Sequence, residues 1–139
     1  LFQDGDVAAA MATCFEDSGV DMLVGIGGAP EGVLAAAALK CMGGEFQGRL
    51  FPSNENEISR CKEMGLGDVN KILTIEDLAK GREIVFAATG ISSGELLKGV
   101  IYYENNMAKT YSLVTRSETG TVRHIEAIHR MDKKPKYAI

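Results

Sequence analysis

The stretch that decides the fold is Gly25-Ile26-Gly27-Gly28-Ala29-Pro30-Glu31-Gly32-Val33. Apolar residues 22–24 precede it, and an alanine-rich run follows it. This order predicts a strand, a tight glycine loop and the start of a helix. Free backbone N–H groups and the positive end of the helix dipole meet at such a junction, which is where α/β proteins hold ligands. The stretch therefore predicts an α/β fold with a ligand site at this loop.

Glu31 separates this loop from a simple phosphate cradle. A carboxylate beside a phosphate would repel it, whereas a carboxylate can bind Mg²⁺ or Mn²⁺ together with phosphate oxygens. A structural role is the alternative, because a carboxylate in the first helical turn interacts favourably with the helix dipole. A dinucleotide site is disfavoured, since Pro30 stands where the GxGxxG pattern needs its third glycine.

Composition bounds the classes of protein to consider. The 139 residues, 45% of them apolar, suffice for one domain spanning residues 1–139. A net charge of -4 argues against nucleic-acid binding, and no run of apolar residues predicts a membrane span. The three cysteines have no zinc-site spacing and predict reduced thiols. The charged residues 132–139 predict an exposed tail.

The hydrophobic pattern alternates strands and helices in the first half. It predicts a helix over residues 7–15 with Asp6 as its N-cap, a second from residue 30 to residue 40 or 42, ended by Gly43, and a third that ends at residue 64 and is capped by Ser53 or Asn54. It predicts strands over 21–26, 45–51 and 83–88. Three β-rich segments at 100–103, 109–115 and 121–129 then predict an antiparallel meander. His124 and His129 are five apart on one strand, so they should face opposite sides in surface or packing roles. The predicted architecture is βαβ units followed by a β-rich meander.

Three loops follow predicted strands: residues 4–6, 25–31 and 89–94. If those strands are neighbours, the loops converge on one crevice at the carboxyl ends of the strands. In the first loop, Asp4 and Asp6 flank Gly5 and could bind sugar hydroxyls or orient a metal-bound water. The alternative for this loop is an N-cap and a turn.

A family resemblance rests on four of these segments together. They are Asp4-Gly-Asp-Val-Ala-Ala-Ala10, Gly25-Ile-Gly-Gly-Ala-Pro-Glu-Gly32, Arg60-Cys-Lys-Glu-Met-Gly65 and Ala88-Thr-Gly-Ile-Ser-Ser-Gly-Glu-Leu-Leu97. With the closing Thr121-Val-Arg-His-Ile125, their order and spacing resemble class II (GlpX-type) fructose-1,6-bisphosphatase. The resemblance covers essentially the whole sequence.

This resemblance implies a layered α/β sandwich of the lithium-sensitive sugar and inositol phosphatase superfamily. It implies a cytoplasmic enzyme of gluconeogenesis that removes the 1-phosphate of fructose 1,6-bisphosphate with Mg²⁺ or Mn²⁺. Glu31 would bind the metal, and Asp4, Gly5, Asp6 and Gly28 would contact the sugar phosphate.

The family is more than twice as long, so the resemblance makes this chain its C-terminal half. Most of the carboxylates that bind the metal, and the residue that activates water, would lie in an N-terminal segment of the same enzyme. The resemblance therefore implies two partners for this chain, that N-terminal segment and the sugar bisphosphate. The chain alone is then expected to be inactive. Two further possibilities stay open: that the protein forms a homo-oligomer, and that the chain is a module that binds sugar phosphates or nucleotides without catalysis.

Overall fold

The computed structural model describes residues 5–135, which form helices and antiparallel sheets in an α/β fold. In chain order the elements are α1 (Asp6–Ala12), α2 (Ala29–Met42), β1 (Gln47–Gly48), α3 (Glu55–Glu63), β2 (Leu73–Thr74), α4 (Ile75–Leu78), β3 (Val85–Thr89), β4 (Ile101–Tyr103), β5 (Met107–Arg116) and β6 (Thr121–Arg130). Short 3₁₀ turns cover Glu16–Ser18 and Met131–Lys133. None of the described helices combines the length and apolar character needed to cross a membrane.

The larger sheet is built around β5, as the predicted meander requires. β6 pairs with β5 along its whole length, from Met107↔Arg130 to Arg116↔Thr121. β3 and β4 share the opposite edge of β5, one at each end, and all these pairs are antiparallel. Asn105 and Asn106, both with positive φ, make the tight turn between β4 and β5. The antiparallel meander is confirmed.

Helix α2 joins the helices to this sheet. Pro30 lies in its first turn, and Gly43, with φ of 77°, ends it as predicted. Its alanines contribute to two apolar clusters, one with α1 and α4 and one with the sheet, where Met11, Ala38 and Leu113 are fully buried. These clusters involve residues 35–39 of α2, whereas its first turn, which carries Glu31, is exposed.

The predicted strand over residues 21–26 is wrong for the described structure. Residues 19–28 lie outside any helix or strand, and Val24 and Ile26 are 82% and 95% exposed. A strand needs a neighbouring backbone for its hydrogen bonds, and in the described range strand pairing is confined to β1–β2 and the sheet around β5. No βαβ unit therefore precedes α2 between residues 5 and 135.

Three smaller predictions also change. The strand predicted over 45–51 is only the two-residue β1, which pairs with β2. Helix α1 ends at Ala12, and its N-cap is Gly5 rather than Asp6, because Gly5 adopts a left-handed conformation with φ of 87°. Asp6 is instead the first helical residue. The residues predicted to end a strand at 1–3, and the last four of the tail, lie outside the described range.

Candidate functional site

Gly27 and Gly28 lie directly against two carboxylates. A methyl group added to Gly27 would lie 2.5 Å from Oδ2 of Asp6, and one added to Gly28 would overlap Oε2 of Glu31. The Asp6 and Glu31 carboxylates therefore lie so close to the backbone of Gly27 and Gly28 that a side chain at either glycine would displace them. Of the five predicted site residues, the structure thus brings Asp6, Gly28 and Glu31 together, with Gly5 adjacent in sequence to Asp6. Asp4 lies outside the described residues.

This cluster stands at the start of a 14-residue helix. Gly28 is the N-cap of α2 and has no side chain to satisfy the first N–H groups of the helix, while its carbonyl accepts the N–H of Gly32 at 3.0 Å. Residues 21–31 are all exposed. The free N–H groups and the positive helix end are therefore open to an anion, and the carboxylates of Asp6 and Glu31 balance them with negative charge.

The number of carboxylates at this loop limits the kind of metal site that the described residues could form. Between residues 5 and 135 the structure contains no cluster of three or more His, Cys, Asp or Glu side chains that could hold a metal ion. Magnesium commonly takes one or two protein carboxylates and completes its shell with water and phosphate oxygens. Glu31 therefore fits a metal shared with a phosphate group better than an all-protein metal cage.

The third predicted loop, residues 89–94, is folded onto its own neighbours. Gly90 donates its N–H to the carbonyl of Tyr111 at 3.0 Å, and Gly94 donates to the carbonyl of Leu97 at 3.0 Å. A methyl group on Gly90 would overlap the backbone carbonyl of Lys98, so the two chain segments touch. These contacts anchor the loop to the large sheet. Its convergence with the glycine loop stays a prediction.

A second polar region was not predicted from the sequence. A cleft of about 290 Å³ lies beside Tyr111, His124 and Glu126. The ammonium groups of Lys98 and Lys109 lie 5.5 and 5.9 Å from the centre of the Tyr111 ring. The Lys109 Nζ lies 2.7 Å from Oε1 of Glu126, and this hydrogen bond raises the pKa of Lys109. The β5–β6 register brings these residues together, and only the alternation of side chains along the strands could have indicated it.

The two histidines face opposite sides, as predicted. The His124 ring centre lies 6.5 Å from that of Phe15 on the helix-covered face of the sheet. Nε2 of His129 lies 2.9 Å from Oγ1 of Thr110. The three cysteines are free thiols, of which Cys41 is buried and Cys14 and Cys61 are half-buried.

The comparisons with known proteins identify the family. A family model described as bacterial fructose-1,6-bisphosphatase, glpX-encoded, matches residues 1–129. The chain is 46% identical to the class 2 fructose-1,6-bisphosphatase of Haemophilus influenzae and 42% identical to fructose-1,6-bisphosphatase 1 class 2 of Escherichia coli K12. These alignments cover 93% and 94% of the chain but only 42% of each relative. The resemblance of the sequence motifs is confirmed, and the chain belongs to the glpX-encoded bacterial fructose-1,6-bisphosphatase family.

Proposed function

We propose that a protein carrying this chain hydrolyses the 1-phosphate of fructose 1,6-bisphosphate to fructose 6-phosphate in gluconeogenesis, with Mg²⁺ or Mn²⁺, in the cytoplasm. The observation that carries the proposal is the pair of glycines seated against Asp6 and Glu31 at the start of α2. A metal phosphatase needs these three elements together: backbone that a phosphate can approach, a helix N-terminus, and carboxylates for the cation. The family match gives the substrate class.

The predicted site residues have separate roles in this proposal. Gly28 has no side chain of its own at the first N–H groups of α2, and the Glu31 carboxylate lies in that space, so a cation bound by Glu31 would bring a phosphate oxygen close to these groups. Glu31 holds the cation against that phosphate, while Asp4, Gly5 and Asp6 hold the sugar phosphate. The bound cation would neutralise the phosphate charge and lower the pKa of a water molecule for attack on phosphorus.

The fold belongs, in this proposal, to the layered sandwich of the lithium-sensitive phosphatase superfamily. The chain spans 42% of the length of the relatives, and we assign the rest of the site to the remaining family sequence. Residues 1–139 would form one domain of that enzyme, with residues 132–139 as an exposed tail. Within residues 5–135 no group of three or more metal-ligand side chains comes together, so the chain alone should release little phosphate.

The test compares two substitutions in a family-length protein that carries this sequence. Glu31→Ala should lower Mn²⁺-dependent phosphate release from fructose 1,6-bisphosphate by roughly 100-fold or more, because it removes a metal ligand. Cys61→Ala, a half-buried position on α3, should leave the rate within about twofold. Equal rates for the two variants would remove Glu31 from the site.

The unsubstituted family-length protein decides the activity itself. If it releases no phosphate with Mn²⁺ yet binds fructose 1,6-bisphosphate in a titration, the chain is a binding module and the proposed reaction is wrong. If the 139-residue chain alone matches its rate, the assignment of further site residues to the rest of the family sequence is wrong.

A further inference from the structure

Gly27 lies in the middle of the glycine loop and faces a single side chain. A Cβ atom added to Gly27 would lie 2.5 Å from Oδ2 and 3.5 Å from Cγ of Asp6. Apart from the chain neighbours of Gly27, no other described residue has an atom within 4 Å of that point. The close contact at this position is therefore a contact between the loop backbone and the Asp6 carboxylate alone.

A left-handed backbone is not what requires glycine at this position. Five of the described glycines have a positive φ, and Gly27 is not one of them. A residue outside the left-handed region can carry a side chain without that strain. The feature that leaves no room for a side chain at Gly27 is therefore the Asp6 carboxylate.

The Asp6 carboxylate has no polar anchor among residues 5–135. Asp6 is exposed at the start of α1, and in the described part of the chain it takes part in no hydrogen bond or ion pair. The backbone of α1 is held in place, because Ala9, Ala10 and Met11 are buried. A packed helix thus carries Asp6 to the loop, and the backbone of Gly27 limits where its carboxylate can lie.

We propose that Gly27 is a positioning residue for substrate binding, because its missing side chain lets the Asp6 carboxylate lie against the loop and bind the sugar there. This inference rests on the proposed function, in which Asp6 holds the sugar phosphate and Glu31 holds the cation. A carboxylate accepts hydrogen bonds from sugar hydroxyls, and these bonds weaken when the acceptor moves out of place. The two adjacent glycines then serve different partners: Gly27 serves the sugar through Asp6, and Gly28 serves the cation through Glu31.

Gly27→Ala in the family-length protein tests this role. The methyl group should push the Asp6 carboxylate aside and leave the backbone in place, so the unfolding midpoint should stay close to that of the unsubstituted protein. The KM for fructose 1,6-bisphosphate should rise roughly tenfold, because hydrogen bonds to a charged group are lost. The kcat and the Mn²⁺ concentration for half-maximal activity should stay within about threefold, because the cation side is untouched.

Gly25→Ala is the matched control in the same segment. A methyl group at Gly25 would meet nothing within 4 Å, so the KM should stay within about twofold of the unsubstituted value. The comparison removes any effect that comes only from replacing a glycine of this segment by alanine.

A double-mutant cycle separates an effect through Asp6 from a general effect on the loop. Asp6→Ala should itself raise the KM roughly tenfold or more, because it removes the hydrogen-bond acceptor. Gly27→Ala added to Asp6→Ala should raise the KM no further, because the carboxylate that it would displace is already gone. For a variant whose turnover is too slow to give a KM, the Kd for fructose 1,6-bisphosphate from a calorimetric titration takes its place in the cycle.

Several results would overturn the proposal. They are an unchanged KM in Gly27→Ala, an equal rise in Gly25→Ala, and a rise from Gly27→Ala that is as large without the Asp6 carboxylate as with it. A higher Mn²⁺ requirement at an unchanged KM would place Gly27 on the cation side instead. In each of these cases the unsubstituted protein still releases phosphate, so the proposed function stands. If the unsubstituted protein neither hydrolyses nor binds fructose 1,6-bisphosphate, the proposed function is wrong and the role of Gly27 is wrong with it.

Discussion

At the scale of single residues, Gly28 shows how a loop can be constrained by one side chain. Its backbone, with φ of -69° and ψ of 146°, is open to any residue, so conformation does not require glycine here. What excludes a side chain is the carboxylate of Glu31, which occupies the space where a methyl group would stand. Glutamate is flexible and can move away, so a methyl group should displace the carboxylate rather than unfold the loop.

Gly28→Ala should therefore separate function from stability. We expect an unfolding midpoint close to that of the unsubstituted chain, but phosphate release from the family-length protein roughly 10- to 100-fold lower, since small misplacements at a site have such effects. Gly25→Ala is the matched control, because a methyl group there would meet nothing within 4 Å. Comparable losses in the two variants would show that the loop, and not the position of Glu31, controls activity.

At the scale of elements, the short helix α4 depends on one carboxylate. Asp77 accepts the N–H of Thr74 at 3.0 Å and is paired with the ammonium group of Lys71, so it closes a capping box and ties α4 to the loop before β2. The hydrogen bond from Lys71, followed by the one from Thr74, lowers the pKa of Asp77 to about 2. The contacts in the folded chain therefore stabilise the ionised form of the Asp77 side chain.

This pKa gives α4 a predictable pH dependence. Because the folded pKa lies below the unfolded value of 3.8, Asp77 stabilises the fold above about pH 4 and loses that contribution as the pH falls towards 2. Asp77→Asn should lower the unfolding midpoint by a few degrees at neutral pH, and the gap should close in acid. A gap that persists at pH 2 would contradict the role of the charge.

The elements that local chemistry fixes were predictable from the sequence. Pro30 and Gly43 bound α2, Asn54 caps α3 by accepting the N–H of Glu57, and Asn105 with Asn106 forms the turn into β5. The proximity of Glu31 to the glycine loop was predictable for the same reason, since both belong to one helix start. Residues 21–26 were not, because a strand exists only where a second backbone supplies its hydrogen bonds.

At the scale of the whole molecule, the apolar residues divide into two sets. Those in the second half of α2 are buried, as is Leu113 in the central strand β5. In the segment before the glycine loop they are exposed, with Met22 at 76% and Val24 at 82%. The glycine loop therefore lies between a helix whose second half is packed in the core and a segment without backbone pairing. Stability should differ between these two parts, because local opening follows local packing.

Hydrogen exchange of the 139-residue chain should reveal this division. The amide of Leu113 should exchange roughly a thousandfold or more slowly than that of Val24, since the first opens only with the sheet and the second has no hydrogen-bonded strand around it. Ile91, also exposed at 85%, is the control, because the 89–94 loop is held by hydrogen bonds at both ends and should show intermediate protection. Protection at Val24 equal to that at Leu113 would mean that residues 21–26 form a paired strand in solution. The glycine loop would then be held on both sides, and the segment leading into the site would be a fixed wall rather than an open approach.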